Sequence, residues 1–443
     1  MATKMKEPFR VKEYDSIICE KESVTSEFYR QMPKEDFERL EEFIRSHAPE
    51  DDGESDSLEF MNISYNKRGV GDIVHVRNYV GLIQMQNGYQ IEILPKIVFG
   101  DGQSDRTKET KEVFIKMLHS MKDFPCKVFN SANLAVSRMN LYEIFINMYI
   151  SEVRDLAKKG LKSAYILQED NLKFFKGKLT VSEHIRRNMA HKERFYVSYD
   201  EYRINRPENR LIKATLLKLQ RLTNDYSNAR EIRQLLSYFE LAEASVNYQK
   251  DFSQVVIDRS TKGYENVMQW SKVFLGNKSF TTFSGEDDAR ALLFPMEKVF
   301  EAYIADHMRR IMRGTGWSVS TQDRGHYLFT APKKQFALRP DIVMKHEKLP
   351  PIILDTKWKR LTNDAKKNYG ISQSDMYQMY AYGKKYNTSE IWLLYPKIEG
   401  MEEMNGFTFE SGDDINVHLF FADVANIDKS LLELKNMLIL DRN

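Results

Sequence analysis

Two aspartates and a lysine stand at the ends of two neighbouring apolar segments. Asp341 directly precedes the apolar residues 342–344, whereas Asp355 directly follows the apolar residues 352–354 and is two residues from Lys357. Alternate residues of a strand lie on one face, so the Asp355 carboxylate and the Lys357 ammonium are predicted to lie side by side. Carboxylate oxygens bind Mg²⁺, and a nearby cation can position a water or stabilise a phosphate. The pattern therefore predicts Mg²⁺-dependent hydrolysis of a phosphodiester.

A metal ion at this point needs several oxygen ligands. Because the backbone carbonyl of Thr356 lies between the two side chains, the predicted metal ligands are Asp341, Asp355 and Thr356. Mg²⁺ is the expected metal, Mn²⁺ is the alternative, and no organic cofactor is predicted. Glu297 and Glu301 are one turn apart on a helical segment, and Glu301 is the better candidate to complete the shell. A solvated surface charge is the alternative for either glutamate.

A later helical segment places Gln378 four residues before Tyr382, and Gln373 four residues before Tyr377. Residues at this spacing are neighbours on one helix face. Gln378 can hydrogen-bond a phosphate or a metal ligand while Tyr382 packs against it, and simple helix packing is the alternative.

Each half of the pattern has an ordinary structural explanation. An aspartate after a proline, as at Asp341, is commonly a turn residue, and an Asp-x-Lys sequence is commonly a surface ion pair. The combination is less common, because a carboxylate at the end of a buried strand is costly without a cation. The joint pattern therefore favours a nuclease.

The remaining sequence supplies the elements that must position these residues. Residues 73–76 and 88–93 alternate as strands do, and the polar residues 46–57 and 100–112 are predicted to be surface loops. These features predict a β-rich N-terminal domain over residues 1–135.

From Leu141 onward apolar residues recur at helical spacing, and they do so again over residues 211–222. Residues 176–178 are predicted to form a turn. The middle of the chain, residues 136–286, is therefore predicted to be mainly helical.

The last third alternates helices with strands, which is typical of an α/β domain and predicts one over residues 287–443. Helices are predicted over residues 292–312 and 372–386. Strands are predicted over residues 327–330, 336–345, 352–357 and 391–395. The fold class is therefore predicted to be α+β with several domains.

Composition agrees with a folded, multidomain protein. The chain has 443 residues, whereas single cores stop growing at about 250–300 residues. A net charge of +2 gives no global attraction to nucleic acid, and the two cysteines, Cys19 and Cys126, are too few for a disulfide framework. Because the sequence has no apolar run of membrane-spanning length and no signal peptide pattern, we expect a cytoplasmic protein with no membrane partner.

Several blocks of the sequence resemble the McrC family, which is the nuclease subunit of McrBC-type modification-dependent restriction systems and part of the PD-(D/E)xK superfamily. The C-terminal blocks are LFPMEKVFEAY at 293–303, RPD at 339–341, DTKWK at 355–359 and SDMYQMYAY at 374–382. The upstream blocks are YVGLI at 79–83, IEILPKI at 91–97, YDE at 199–201 and PENRLIK at 207–213. The resemblance extends from about Tyr79 onward, and the residues before it match no pattern that we can place.

The resemblance implies a role for each candidate residue. The family's catalytic positions correspond to Asp341, Asp355 and Lys357, and its acidic helix position corresponds to Glu301. Its helical Gln-x-x-x-Tyr positions correspond to Gln378 and Tyr382, and all six are therefore predicted as catalytic-site residues.

The resemblance also implies partners: double-stranded DNA and a McrB-like AAA+ GTPase ring that the McrC-like subunit stimulates, acting together in defence against foreign DNA. The N-terminal β-rich domain and the central helical region are expected to bind this ring. The sequence contains no Gly-x-x-x-x-Gly-Lys-Ser/Thr loop, so nucleotide-driven motion must come from another polypeptide. Two alternatives stay open, namely a stand-alone RecB-like DNA nuclease and a non-catalytic regulator of a GTPase ring.

Overall fold

A computed structural model describes residues 8–20, 29–46, 60–67, 70–85, 89–97, 106–121, 139–275, 289–362, 364–398 and 405–440. The chain divides into two compact units: unit 1 comprises residues 1–138 and 279–443, and unit 2 comprises residues 139–278. The predicted middle region, 136–286, overlaps unit 2, whereas the predicted first and third segments share unit 1. Whether these two segments act as separate functional domains stays a prediction. Cys126 and the predicted loop beyond Ser46 lie outside the described residues.

Nineteen strands and eleven α-helices are present in the described residues. The strands are β1 Phe9–Lys12, β2 Ser16–Cys19, β3 Tyr29–Met32, β4 Met61–Lys67, β5 Gly71–Val76, β6 Tyr79–Met85, β7 Gln90–Leu94, β8 Ala164–Leu172, β9 Lys178–Leu179, β10 Phe195–Arg203, β11 Ala289–Pro295, β12 Ser318–Thr321, β13 Tyr327–Phe329, β14 Gln335–Ala337, β15 Ile342–Lys345, β16 Ile352–Thr356, β17 Glu390–Pro396, β18 Thr408–Glu410 and β19 Asn416–Ala422. The helices are α1 Lys34–Ser46, α2 Arg106–Leu118, α3 Leu141–Lys158, α4 Val181–Asn188, α5 Pro207–Leu222, α6 Tyr226–Tyr238, α7 Tyr248–Gln254, α8 Glu265–Leu275, α9 Met296–Ile311, α10 Gln373–Tyr386 and α11 Ile427–Leu440. None of these helices is long and apolar enough to cross a membrane.

Two four-stranded sheets form the first part of unit 1, with the orders β1-β7-β6-β11 and β3-β2-β5-β4. Strands β5 and β7 lie where alternation predicted strands. Apolar side chains from both sheets and from α1 share one buried core, which includes Ile17, Leu40 and Ile93. Strand β11 pairs antiparallel with β6 along its whole length. A strand from the third predicted segment therefore completes a sheet of the first.

The prediction of a helix over residues 292–312 is wrong at its beginning, because residues 292–295 belong to β11 and α9 starts at Met296. A short apolar run fits either a strand or a buried helix, and pairing with β6 decides in favour of the strand. The approach of the two strands is close at Gly81, where an added Cβ would lie 1.9 Å from the Leu292 carbonyl oxygen. The strand ends at Pro295, which has no N–H to donate.

The prediction of a surface loop over residues 100–112 is wrong where the chain is described, because α2 begins at Arg106. Thr110 and Lys111 are buried on this helix, and the Lys111 ammonium lies 2.8 Å from Glu92 Oε1. Lys111, one of the charged residues that favoured a surface loop, is therefore buried in an ion pair.

The second part of unit 1 is a six-stranded mixed sheet with the order β12-β15-β16-β17-β19-β18. Strands β15 and β16 form the predicted antiparallel hairpin, and β17 and β19 continue the sheet in parallel with β16. Helix α10 packs on one face, where Ile353, Leu393 and Met379 share a core. The alternate residues Leu354 and Leu394 are also buried. Helix α9 contacts β12 and β16, and α11 contacts β19, so these helices cover the opposite face.

The single strand predicted over residues 336–345 is in fact two strands, β14 and β15. Arg339 and Pro340 separate them because proline cannot donate to a ladder. Strand β14 instead pairs antiparallel with β13 in a two-stranded hairpin outside the main sheet. The predicted helix over residues 372–386 is α10, which begins after Ser372, whose hydroxyl accepts from the Asp375 amide.

Unit 2 is mainly helical, as predicted, and the helices expected near Leu141 and over residues 211–222 are α3 and α5. Its three-stranded antiparallel sheet, of order β8-β10-β9, was not predicted from the sequence. The predicted turn at residues 176–178 lies beside this sheet. There Gly177 has φ +72°, and an added Cβ would lie 2.4 Å from the Ser198 carbonyl oxygen.

Candidate active site

The two candidate aspartates lie at facing positions of the β15–β16 hairpin. The register pairs Ile342 with Leu354, and its continuation by one residue places Asp341 opposite Asp355. Cross-strand neighbours have Cβ atoms about 4.5–5.5 Å apart. Asp341 Oδ2 accepts hydrogen bonds from the Thr356 amide at 2.7 Å and the Thr356 hydroxyl at 2.6 Å. The hairpin therefore fixes both carboxylates at one sheet edge.

Lys357 lies beside Asp355, as the alternation predicts. Its Nζ atom is 2.7 Å from Asp355 Oδ2, and it donates to Gln378 Oε1 at 3.1 Å. The Gln378 amide in turn donates to the Tyr382 hydroxyl at 2.7 Å, and Tyr382 is buried. The helix spacing thus brought Gln378 and Tyr382 to the candidate site. The other pair at this spacing, Gln373 and Tyr377, forms an exposed hydrogen bond with no contact to the aspartates.

Glu301 faces the site from α9. Burial and the charge of Asp341 raise the pKa of Glu301 to about 7, and the Gln322 amide donates to its carboxylate at 3.2 Å. Glu297, one turn earlier, is exposed, yet its negative charge still contributes to raising the pKa of Asp341. The structure therefore places Glu301 at the site and Glu297 near its outer edge.

The site is short of positive charge. Burial, followed by the charge of Asp341, raises the pKa of Asp355, and burial also raises the pKa of Asp341. For Lys357, burial opposes the charged form, but the charge and hydrogen bond of Asp355, together with the charges of Asp341 and Asp375, outweigh burial and raise the pKa of the ammonium. Lys357 is therefore protonated, and two carboxylates face one another with this one ammonium beside them.

Two further charged residues lie at the site, Asp375 and Lys359, and Asp375 was not predicted from the sequence as a site residue. Lys359 Nζ lies 2.7 Å from Asp375 Oδ2, and Lys357 Nζ lies 3.9 Å from Asp375 Oδ1. Burial disfavours the Asp375 carboxylate, but the hydrogen bonds from Lys359 and Ser372, together with the charges of Lys359 and Lys357, outweigh burial and lower the pKa of Asp375. The signal available in the sequence was the spacing of Asp375, one helical turn before Gln378.

Trp358 faces away from the carboxylates, as alternation predicts, and contacts the first part of unit 1. Its indole N–H donates to Glu13 Oε2 at 2.9 Å, and its carbonyl accepts from Lys96 Nζ at 2.8 Å. The Lys96 backbone amide also donates to Glu13 at 3.0 Å. These bonds hold the chain immediately after Lys357.

The donor set fits a hard divalent cation. The described residues contain no group of three histidine, cysteine, aspartate or glutamate side chains close enough to hold a metal. Mg²⁺, however, is commonly bound by one or two carboxylates together with waters and substrate phosphate. The N–H and C=O of one extended residue point to the same side, so the Thr356 carbonyl faces the side where its amide meets Asp341. Asp341, Asp355 and this carbonyl therefore form an oxygen-rich site.

Comparison with known proteins adds a family and a fold. A family model described as McrBC 5-methylcytosine restriction system component matches residues 74–396. No curated protein matches the sequence. The fold is similar to that in the refined half-complex from a tetradecameric assembly of Thermococcus gammatolerans McrB AAA+ hexamers with bound McrC, with a TM-score of 0.71, 18% identity, and coverage of 98% of this chain and 100% of that chain. The cryo-EM structure of the Thermococcus gammatolerans McrBC complex matches with a TM-score of 0.46, 19% identity, and coverage of 69% of this chain and 88% of that chain.

Proposed function

Because the chain belongs to the family of McrBC 5-methylcytosine restriction system components, we propose that it is the DNA-cleaving subunit of such a system. Its cutting site is of the PD-(D/E)xK type and consists of Asp341, Asp355 and Lys357. The observation that carries the proposal is the placement of two aspartates across one hairpin with one ammonium, 2.7 Å from Asp355, beside them. This arrangement leaves a deficit of positive charge that a divalent cation and a phosphate-bearing substrate would use.

Each residue has a distinct task in the proposed reaction. Asp341, Asp355 and the Thr356 carbonyl would hold Mg²⁺, which would supply the positive charge that polarises a scissile phosphate and makes water more acidic. Lys357 keeps its proton because its pKa is raised, so it stabilises the negative charge that develops on the phosphate.

Surrounding residues hold these groups in place. Gln378 accepts a hydrogen bond from Lys357 and is itself fixed by Tyr382. Glu301, with a pKa of about 7, can hold or release a proton at neutral pH at the edge of the site. The orientation of Lys357 therefore depends on α10, and the charge facing Asp341 depends on α9.

The proposed partner is a McrB-like AAA+ GTPase ring that delivers double-stranded DNA. The similar Thermococcus gammatolerans structure contains McrB AAA+ hexamers with bound McrC. In this chain, unit 2 has an exposed apolar surface on its sheet and adjoining segments, which suits a protein partner. Its exposed residues are Tyr165, Leu167, Phe174, Phe175, Val181, Ile185, Met189 and Tyr202.

Reconstitution tests the proposal. The purified chain is incubated with plasmid DNA containing 5-methylcytosine and GTP, with and without a cognate AAA+ subunit, in Mg²⁺, Mn²⁺, Ca²⁺ or EDTA. We expect cleavage only with the partner and with Mg²⁺ or Mn²⁺, because Ca²⁺ accepts looser coordination that aligns water poorly. Equal cleavage without the partner would favour a stand-alone nuclease, and full cleavage in EDTA would exclude the metal mechanism.

Point variants separate cleavage from regulation. Asp341→Asn is expected to abolish cleavage while GTPase stimulation persists, since the amide oxygen can still accept from Thr356 and the lost charge relieves repulsion with Asp355. A wild-type chain that stimulates GTP hydrolysis but never cuts would instead favour a non-catalytic regulator. Truncation near Ser284 is unsuitable as a test because it would remove β11, which completes a sheet of unit 1.

A further inference from the structure

The hairpin β13–β14 immediately precedes Asp341 in the chain and forms a two-stranded sheet of its own, separate from the six-stranded sheet. Nine consecutive residues, 329–337, are exposed, including Phe329 at 55% and Phe336 at 69%. The two phenyl rings contact each other edge to face, with centroids 5.9 Å apart. More than half of the surface of each side chain nevertheless faces solvent, so both rings are accessible to a ligand.

The charge of this segment has one sign. Residues 324–340 contain no acidic residue and four basic ones, which are Arg324, Lys333, Lys334 and Arg339. All four are exposed, and two of them, Lys333 and Lys334, are at the hairpin tip between β13 and β14. A basic, exposed strand pair complements a polyanion rather than a neutral or acidic protein surface.

The base of the hairpin is fixed although its tip is exposed. The Leu338 amide donates to the His326 carbonyl, and Leu338 packs against the core beneath α10. The His326 ring lies 4.0 Å from the Tyr386 ring, and the Tyr386 hydroxyl donates to Asp323. Because α10 also carries Gln378, the hairpin and the candidate active site are attached to the same helix.

The distance along the chain limits where the hairpin can act. Phe336 is five residues before Asp341, and five extended residues span at most about 17 Å. At a rise of about 3.4 Å per nucleotide, this corresponds to about five base-pair steps of duplex DNA. The hairpin can therefore contact the same duplex that the aspartates cut.

We propose that the β13–β14 hairpin binds the sugar–phosphate backbone of double-stranded DNA within a few base pairs of the cleaved phosphate. Lys333 and Lys334 neutralise phosphates, while Phe329 and Phe336 pack against the sugars at the groove edge. This inference rests on the proposed nuclease function, since it identifies the surface that holds the duplex against the cutting site.

Duplex binding can be measured without cleavage. The full chain is titrated into a fluorescein-labelled 30-base-pair duplex in EDTA, and fluorescence anisotropy is followed from 50 to 300 mM KCl. Loss of two phosphate contacts should reduce the slope of log K against log salt by about 2. Each lost phosphate contact should weaken binding about 5-fold at 0.15 M salt. The double variant Lys333→Gln with Lys334→Gln, which loses two contacts, should therefore bind roughly 10–30-fold more weakly.

Three further variants sharpen the test. Lys333→Arg with Lys334→Arg should retain the wild-type slope, and Phe336→Ala should weaken binding with the slope unchanged because no charge is removed. The matched control is the double variant Lys429→Gln with Lys435→Gln, which removes the same charge. Both lysines are on α11, which packs on the face of the six-stranded sheet opposite to α10. An equal loss in this control, or an unchanged affinity and slope in the tip variant, would overturn the proposal.

The two proposals fail in different ways. If the tip variant loses affinity for the AAA+ subunit but not for the duplex, the hairpin is a protein contact and the inference is wrong. If duplex binding depends on the hairpin but the wild-type complex never cuts DNA in Mg²⁺ or Mn²⁺, the inference stands and the nuclease function fails.

Discussion

Two buried carboxylates in unit 1, Glu92 and Asp355, have similar exposure and different charge surroundings. Glu92 on β7 is 0% exposed, and its two oxygens are paired with Lys111 at 2.8 Å and Arg10 at 3.1 Å. Asp355 is 1% exposed, and the cation beside it is Lys357, while Asp341 lies across the hairpin. Glu92 therefore faces two cations, whereas Asp341 and Asp355 share a single cation, Lys357.

The surroundings of Glu92 and Asp355 show how a structural buried charge differs from a functional one. Burying a carboxylate is tolerable when partner cations and hydrogen bonds compensate its desolvation, as they do for Glu92. The raised pKa values of Asp341 and Asp355 show that their compensation is incomplete. A shortage of positive charge that the protein does not correct is expected where a metal ion and a substrate supply the remainder.

The largest effect is expected at Asp355. Asp355→Asn removes a proposed metal ligand and should lower cleavage by more than about 10³-fold, the upper end of the loss from one transition-state donor. Single-turnover cleavage of 5-methylcytosine DNA by the complex with the AAA+ subunit measures this. The melting temperature should stay equal or rise, because the substitution relieves repulsion from Asp341.

Asp306→Asn on α9 is the matched control, since Asp306 is half-exposed. It should leave both cleavage and stability unchanged. A marked drop in the melting temperature of Asp355→Asn would contradict the comparison, because it would make Asp355 a structural charge like Glu92.

Glu92→Gln should show the opposite behaviour. Removing one partner of a buried ion pair typically costs about 3–5 kcal/mol, and here the Lys111 ammonium would stay buried without its carboxylate. We expect an earlier unfolding midpoint in urea, while the folded fraction cleaves at the wild-type rate. A cleavage defect at full folding would show that Glu92 serves the site rather than the sheet.

A smaller effect is expected at Gln378, which accepts a hydrogen bond from the Lys357 ammonium beside Asp355. Gln378→Ala should lower single-turnover cleavage by about 10–100-fold, the usual range for residues that orient metal-site groups. Gln373→Ala, on the same helix but in an exposed pair, is the control. Equal rates for the two variants would return Gln378 to a packing role.

The parts of this site that local spacing determines were accessible from the sequence. Strand alternation placed Asp355 beside Lys357, and helical spacing brought Gln378 to Tyr382. Contacts between distant segments were not accessible, because neither alternation nor helical period reports which elements pack together. Trp358 and Glu13 are 345 positions apart, and β11 was mistaken for helix because only its pairing with β6 identifies it.

The smallest effect is expected at Glu13, a third buried carboxylate. Burial raises the pKa of Glu13 and lowers that of its neighbour Lys96, so desolvation outweighs their mutual attraction. Because burial already disfavours the charged form of Glu13, removal of that charge should cost little, in contrast to Glu92. Glu13→Gln retains an acceptor for the Trp358 indole and should change the free energy of unfolding by less than about 1 kcal/mol.

The pH dependence of this change has a definite sign. A carboxyl with a raised pKa in the folded state retains a proton that the unfolded chain releases, so wild-type stability falls as pH rises above about 4.5 toward the folded pKa. Glu13→Gln lacks this contribution. Its unfolding midpoint in urea should therefore rise relative to that of the wild type as the pH increases from 4.5 to 7.5. Because all other titrating groups are common to both proteins, the difference isolates Glu13. If the variant instead lost stability relative to the wild type as pH rises, the Glu13 carboxylate would be a compensated charge like Glu92, and the ranking of the three carboxylates would be wrong.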